Sequence, residues 1–171
     1  MASNRISKQP SGQVSLLDRL SDSSAHSIAE TTLQRGEQPE FDLEMSIKRD
    51  IEWLLNSTSY SAIEDLSRWK NVEKSILNYG VHVTPGRMLT NADAPQIENA
   101  IRLAICRFEP RVRRDTLTVK AYAEEINPHR LAIAIVIDGD HMVAGQWIGL
   151  SMTLQMDSET GLIQSTNARA G

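Results

Sequence analysis

Residues 93–120, DAPQIENAIRLAICRFEPRVRRDTLTVK, contain the change of periodicity that decides the fold. Up to Phe108 the apolar residues recur every three or four positions and form one stripe, made of Ile97, Ala100, Ile101, Ala104, Ile105 and Phe108. This spacing predicts an amphipathic helix with Asp93 as its N-cap. After Arg114 apolar and polar residues alternate, which predicts a β-strand over 116–126. The segment therefore indicates a domain that mixes helices and strands.

Two more helices are predicted ahead of this segment. A helix is predicted over 44–56 because apolar residues recur there at helical spacing, at Ile47, Ile51, Leu54 and Leu55. A shorter helix is predicted over 71–78, and Gly80 follows it at the position of a left-handed C-cap. On the first of these helices the charged residues lie opposite the apolar ones, so the apolar face is expected to pack on the rest of the domain.

Two further strands are predicted after the first one. Residues 131–137 are apolar at consecutive positions, so both faces of this strand are expected to be covered. Residues 147–156 alternate between large apolar and small or polar side chains, which is typical of a strand. Because the links between the three strands are short, they are expected to form an antiparallel meander. The predicted fold class is α+β, with three main helices packed on a small antiparallel three-stranded sheet.

The beginning of the chain differs from its centre in composition. Eight serines fall within the first thirty residues, and such a polar stretch predicts a flexible N-terminal arm over 1–40. A short amphipathic helix is predicted within the arm at 15–20. Its apolar residues, Leu16, Leu17 and Leu20, are too few for the helix to be stable alone. We therefore expect them to dock either on the chain's own domain or on a partner.

Length and charge limit the classes of protein to which the chain can belong. It has 171 residues, 40% hydrophobic and 23% charged, which suits one folded domain. We place that domain at 41–157, between the arm and a polar C-terminal tail at 158–171. The net charge of −4 gives no general attraction to nucleic acid, and no apolar run approaches the roughly 18 residues of a membrane span. We expect a cytoplasmic protein without nucleic-acid binding or membrane insertion.

The motifs of metal and cofactor sites are absent from the sequence. A single cysteine, Cys106, excludes an internal disulfide and a multi-cysteine metal site. The four histidines never lie three or four residues apart on a predicted helix, as ligands on one helical face would. Neither a glycine-rich phosphate loop nor a nucleophile motif occurs. We therefore expect no metal, no cofactor and no catalytic residue.

One charged cluster, at 107–114, combines four arginines with Glu109 and Pro110. A residue that precedes proline is disfavoured in the α region, so Glu109 is expected to be extended. In an extended segment, residues two apart point the same way, which places Glu109 and Arg111 side by side. This pair either holds the junction between helix and strand together or offers paired hydrogen-bonding groups to a partner.

Two other functions remain alternatives for the same cluster. Glu109 is a candidate acid of a lysozyme-like peptidoglycan hydrolase, a mechanism that needs a second carboxylate nearby. Candidates for the second carboxylate are Asp115, Glu124 and Glu125. The neighbouring arginines favour the ionised form of Glu109, which is the wrong state for a general acid. The arginines of 107–114 alternatively suggest a nucleic-acid-binding module.

Four short motifs occur along the chain in a characteristic order: SLLDRL at 15–20, IEWLLN at 51–56, SILNYG at 75–80 and FEPR at 108–111, before the three predicted strands. This order resembles the small baseplate wedge subunit of contractile injection machines. That family includes the lysozyme-like phage wedge protein and its type VI secretion counterpart, TssE. The motif in the arm favours the type VI branch. The segment 81–89 departs from the pattern, because the family has a shorter Gly-Leu-Pro-like turn there.

The resemblance implies a structural protein that catalyses no reaction. It implies that Glu109, Pro110 and Arg111 bind the helical core bundle of the wedge, which TssF and TssG form in type VI systems, with TssK as a further candidate partner. It also implies that the sheet starts sheath assembly by exchanging strands with TssB and TssC. A sheet with two open edges agrees with this, because an edge accepts further strands. The expected location is the cytoplasmic baseplate, docked at the inner-membrane complex.

Overall fold

A computed structural model of the chain describes residues 39–81, 94–127, 130–143, 145–157 and 160–166. The helices are α1 (Pro39–Leu55), α2 (Lys70–Glu73) and α3 (Ala94–Phe108), with 3₁₀ turns at Tyr60–Ala62 and Ile76–Asn78. The strands are β1 (Thr118–Asn127), β2 (Arg130–Val143), β3 (Gln146–Asp157) and β4 (Ile163–Ser165). The expected helix at 15–20 and the expected cap Asp93 lie outside the described residues, as does most of the expected arm. Within the described ranges, no helix is both long enough and apolar enough to cross a lipid bilayer.

The strands form one antiparallel sheet in the order β1-β2-β3-β4, which confirms the α+β class and the meander. The prediction of three strands is wrong, because β4 pairs with the end of β3 and places Ile163 opposite Met156. Ile163 is only 1% exposed, although it lies in the stretch expected to be a polar tail. A strand of three residues is too short to produce a recognisable alternation, so the sequence did not reveal it.

Strand β2 is twice as long as expected, because it continues into the predicted connection at 139–145 and ends at Val143. Its pairing with β3 runs without a break from Ala132 to Val143. Gly145, with a φ of +87°, lies in the turn that follows. The polar run from Gly139 to His141 has the composition of a loop. Its continuous pairing with β3 nevertheless keeps these residues in the strand, because tertiary pairing outweighs local preference.

The predicted helix at 71–78 is also wrong, since α2 and a 3₁₀ turn take its place. Ser75 separates them: its backbone is extended and its hydroxyl accepts a hydrogen bond from the Leu77 amide, which competes with continued helix. Gly80 has the expected positive φ, at +119°, but it does not cap a helix. A Cβ atom there would lie 2.2 Å from the carbonyl oxygen of Ser57, so the glycine allows two backbone segments to approach closely.

The core lies between one face of the sheet and helices α1 and α3. Its buried members come from all three layers, namely Ile47, Ile51 and Leu54 of α1, Ile97, Ile101 and Ile105 of α3, and Ile133, Ile135 and Leu154 of the sheet. The stripe predicted for α3 is therefore confirmed. Each such side chain contributes about 1.5–3 kcal/mol by leaving water. Ala132 and Ala134, on the other face of β2, are buried too, which confirms that both faces of this strand are covered.

Among the described residues, one buried polar side chain in this core has no hydrogen bond. His141 of β2 is 1% exposed, and neither of its ring nitrogens has a partner among the described residues. Its backbone lies opposite Ile148 of β3 and forms an isolated bridge with Val112. The imidazole therefore acts as a packing group at the end of the sheet.

Candidate functional site

Helix α3 ends at a tight turn that contains the Glu-Pro-Arg sequence. The amide of Glu109 still donates to the carbonyl of Ile105 at 2.9 Å, as in a helix. The amide of Val112 then donates to the carbonyl of Glu109 at 3.3 Å and closes a turn over 109–112. Proline is favoured at the second position of such a turn, where its fixed φ fits. Glu109 is the first residue of this turn and lies just outside helix α3, and the turn joins the helix to the strand.

The side chains of Glu109 and Arg111 lie close together, as the sequence predicts. They form hydrogen bonds with each other. The Nε atom of Arg111 donates to Oε1 of Glu109 at 2.7 Å, and its Nη2 atom donates to Oε2 at 2.5 Å. The Arg111 amide also donates to Oε1 at 3.1 Å. Such two-pronged pairing fixes both side chains. Glu109 is only 5% exposed, so its carboxylate belongs to the interior of the domain.

Arg111 also joins the turn to helix α1. Its Nη2 atom donates to Oδ2 of Asp50 at 2.5 Å, and its Nη1 atom donates to Oγ of Ser46 at 3.3 Å. The other oxygen of Asp50 accepts a hydrogen bond from Arg49 at 2.9 Å. We call Arg49, Asp50, Glu109 and Arg111 the ion network. It holds α1 and the turn 109–112 in one fixed arrangement.

The ion network carries no net charge, because its two guanidinium groups balance its two carboxylates. Burial lowers the pKa of Arg111, but hydrogen bonds and attraction from Glu109 and Asp50 outweigh it, so the net shift of that pKa is upward. Tyr79 lies close enough to be affected. Burial raises the pKa of its phenol above 10.0, and the carboxylates of Asp50 and Glu109 raise it further. The phenol therefore stays protonated near neutral pH.

A groove of about 310 Å³ opens beside the ion network. Its polar lining consists of Asp50, Glu109 and Arg111, and its apolar lining consists of Trp53, Leu54, Tyr79, Phe108 and Pro110. The rings of Tyr79 and Phe108 meet edge to face with centroids 5.2 Å apart. The guanidinium of Arg49 lies 4.7 Å from the ring centroid of Trp53. We call this depression the Glu-Pro-Arg groove.

Other arginines of the segment 107–114 do not line the groove. Arg107 donates to the carbonyl of Glu73 at 2.9 Å. The guanidinium of Arg113 stacks on Trp147, 5.0 Å from its ring centroid, and lies 3.9 Å from Asp115. Arg107, Arg111 and Arg113 are thus engaged in separate intramolecular contacts, which gives a continuous nucleic-acid patch no support.

The geometry also gives the hydrolase alternative no support. Both carboxylate oxygens of Glu109 accept hydrogen bonds from Arg111. Neither Asp115 nor Glu124 lines the groove, and the Glu125 side chain lies outside what the structure describes. Within the described parts of the chain, no group of three or more His, Cys, Asp or Glu residues is placed to hold a metal ion.

Sequence reasoning missed the α1 half of the site. Ser46 and Asp50 are four residues apart and so lie on one face of α1, next to its apolar stripe. A polar pair at this spacing is ordinary on a helix and signals nothing by itself. Their partner lies 61 and 65 positions further along the chain. The leucines of the predicted arm motif, Leu16, Leu17 and Leu20, lie outside the described residues.

Comparison with known proteins identifies a family. The family model described as "Baseplate wedge protein gp25" matches residues 42–144, which is more than half of the chain. The matched range contains the whole ion network and every residue that lines the groove. No curated protein and no solved structure matches the chain.

Proposed function

The chain belongs to the baseplate wedge protein gp25 family, and from this premise we propose that it is the structural wedge subunit TssE of a type VI secretion baseplate. Membership of the family supports a structural role in the baseplate of a contractile machine. The SLLDRL motif at 15–20 supports the type VI branch over the phage branch. In this proposal the protein acts by holding other proteins in position, at the cytoplasmic face of the inner-membrane complex.

The first proposed task is attachment to the core bundle of the wedge, formed by TssF and TssG, with TssK as a further neighbour. Glu109, Pro110 and Arg111 are proposed to form the attachment corner. The observation that carries this proposal is the ion network, which fixes a half-exposed aromatic groove between α1 and the end of α3. A surface fixed before binding loses little conformational freedom when a partner docks, and this favours tight assembly.

The second proposed task is to start the sheath by accepting a strand from TssB or TssC. Strand β4 covers β3 only from Leu154 to Met156, so most of the outer edge of β3 is unpaired among the described strands. On the opposite edge, the amide of Ala121 in β1 donates to Oε1 of Glu98 at 2.8 Å. A helix side chain thus occupies part of that edge. Both edges are long enough to accept a strand.

The N-terminal arm is proposed to contribute to assembly through Leu16, Leu17 and Leu20. Three leucines on one short helix gain stability only by packing on another surface. That surface is either the chain's own domain or another wedge protein.

Co-purification with TssF and TssG tests the proposed function. The full chain carries an affinity tag and is expressed together with the TssF and TssG proteins of its own system. Recovery of both partners with the tagged chain is the expected result. A folded chain that recovers neither partner would overturn the proposal, and clearing of a peptidoglycan suspension by that chain would favour the hydrolase.

A further inference from the structure

In the attachment corner, which is the Glu-Pro-Arg corner formed by residues 109–111, most hydrogen-bonding groups of Glu109 and Arg111 already have partners within the chain. An arginine side chain has five N–H donors. In Arg111 one is used by the Nε bond to Glu109, two by the Nη2 bonds to Glu109 and Asp50, and one by the Nη1 bond to Ser46. Both oxygens of Glu109 accept hydrogen bonds as well. Among the described residues, this pair therefore leaves a docking partner one Nη1 hydrogen of Arg111 and one acceptor position on Oε2 of Glu109.

The surface left for a partner is aromatic. Trp53 of α1 is 49% exposed and Tyr79 is 38% exposed, and both line the groove. Pro110 is exposed beside them. Tryptophan and tyrosine, together with arginine, are enriched at the energetic centre of protein interfaces. The two aromatic residues bury a large area at a small cost in conformational entropy. The groove therefore offers a partner apolar contact area rather than free charge.

The charge balance of the groove restricts what can occupy it. Two carboxylates and two guanidinium groups already neutralise one another across the ion network. A charged group of a partner would lose its water there without gaining an unpaired counter-ion, which is unfavourable. An apolar side chain has no favourable hydration to lose when it enters the groove. A backbone carbonyl next to it can accept a hydrogen bond from the remaining Nη1 hydrogen of Arg111. At about 310 Å³ the groove takes anchoring side chains rather than a whole helix.

We infer that the Glu-Pro-Arg groove receives an uncharged, apolar anchor segment of the core bundle, which contacts Trp53 and Tyr79, while Asp50, Glu109 and Arg111 act as positioning residues. This inference rests on the proposed function and specifies its chemistry. The charged motif does not itself grip the partner. It holds α1 against the turn 109–112, so that the two aromatic side chains face one groove.

The test compares two matched tryptophans. Trp147 is 45% exposed and stacks with Arg113, as Trp53 stacks with Arg49, but it lies outside the groove. In the co-expression with TssF and TssG, Trp53→Ala and Tyr79→Ala are expected to reduce partner recovery about tenfold or more, as loss of an interface hot spot does. Trp147→Ala is expected to recover both partners like the unsubstituted chain. Circular dichroism is used to check that each variant is folded. If Trp53→Ala unfolds, Trp53→Gln is used in its place.

The salt dependence of partner recovery tests whether the segment that enters the groove is uncharged. Recovery of the unsubstituted chain is expected to change less than about twofold between about 0.1 and 0.5 M NaCl, because an apolar contact is not screened. Recovery that falls steeply with salt would overturn the inference in favour of an ionic clamp.

Asp50→Asn tests the positioning role with two readouts. Partner recovery is expected to fall, although Asp50 touches no partner in this account. In the same variant the ionisation of Tyr79, followed by tyrosinate absorbance, is expected to move to lower pH because one of the carboxylates that oppose it is gone. Full recovery of partners by folded Asp50→Asn would overturn the positioning role.

Failure of this inference can be told apart from failure of the proposed function. If the unsubstituted chain recovers neither TssF nor TssG, the proposed function is wrong and the inference falls with it. If the unsubstituted chain recovers both, and folded Trp53→Ala and Tyr79→Ala do so equally well, only the inference is wrong.

Discussion

The Nη2 atom of Arg111 donates a 2.5 Å hydrogen bond to Asp50, a residue 61 positions earlier in the chain. The same nitrogen binds Glu109 two positions away. Arg111 thereby connects helix α1 to the turn that ends helix α3. The aromatic groove beside it depends on this connection, because Trp53 belongs to α1 and Pro110 belongs to the turn.

Removing the charge of Asp50 should destabilise the domain. In Asp50→Asn the guanidinium of Arg111, which is largely buried, loses one of its two carboxylate partners, and we expect the free energy of unfolding to fall by about 1–3 kcal/mol. Urea unfolding measures the change. Glu44→Gln is the control, because Glu44 pairs with Lys48 on the partly exposed side of α1 and should cost about 0.5 kcal/mol or less. Equal losses in both variants would contradict a special role for Asp50.

Tyr79 should titrate at unusually high pH. Burial, Asp50 and Glu109 all raise the pKa of its phenol above 10.0. The difference in tyrosinate absorbance between the unsubstituted chain and Tyr79→Phe should therefore have its midpoint above pH 10.0. Because the folded state keeps this proton longer than the unfolded state, the stability from Tyr79 is complete below pH 10 and is lost as the pH rises further. A midpoint at or below pH 10.0 would show that the phenol does not face the carboxylates.

Gly80 should not tolerate a side chain. Gly80→Ala places a Cβ atom 2.2 Å from the Ser57 oxygen at a φ of +119°, and we expect a loss of about 2–4 kcal/mol of stability. Gly149→Ala in β3 is the matched control, since a Cβ atom there meets nothing within 4 Å. Thermal unfolding of the two variants measures the contrast. Similar midpoints would mean that the Ser57 and Gly80 segments are not in close contact.

His141 should be replaceable by an apolar residue of similar size. Its imidazole is buried without a hydrogen bond among the described residues, and an unsatisfied buried polar group costs about 1–3 kcal/mol. His141→Leu should therefore raise the stability by about 1 kcal/mol, whereas His141→Gln, which keeps polar atoms at this position, should not. Chemical denaturation compares the two. A clear loss of stability in His141→Leu would mean that the imidazole makes a favourable polar contact.

Periodic features of the fold could be predicted from the sequence. The stripe from Ile97 to Phe108 gave α3 almost to the residue, because a long amphipathic helix repeats its signal over several turns. The alternation after Arg114 gave β1 for the same reason. Features that depend on one or two residues could not be found this way. Ile163 in β4 and the split of the predicted helix at Ser75 are examples.

Only the part of the candidate site at 109–111 could be predicted from the sequence, and the part on helix α1 could not. The proximity of Glu109 and Arg111 follows from their two-residue separation, and Pro110 explains why helix α3 ends at Phe108, just before them. The burial of Glu109 does not follow, because it depends on how α1 packs across the turn. Asp50 could not be paired with Arg111 either, since no periodicity links residues on different elements.

The amount of TssF and TssG that co-purifies with Arg111→Ala, relative to Arg113→Ala, shows whether assembly depends on the ion network. Both substitutions remove one arginine from the same stretch, but only Arg111 joins the ion network. Measured per folded protein, Arg113→Ala should recover both partners fully, and Arg111→Ala should recover about tenfold less or none. Equal and complete recovery by the two variants would show that assembly does not depend on the Glu-Pro-Arg corner.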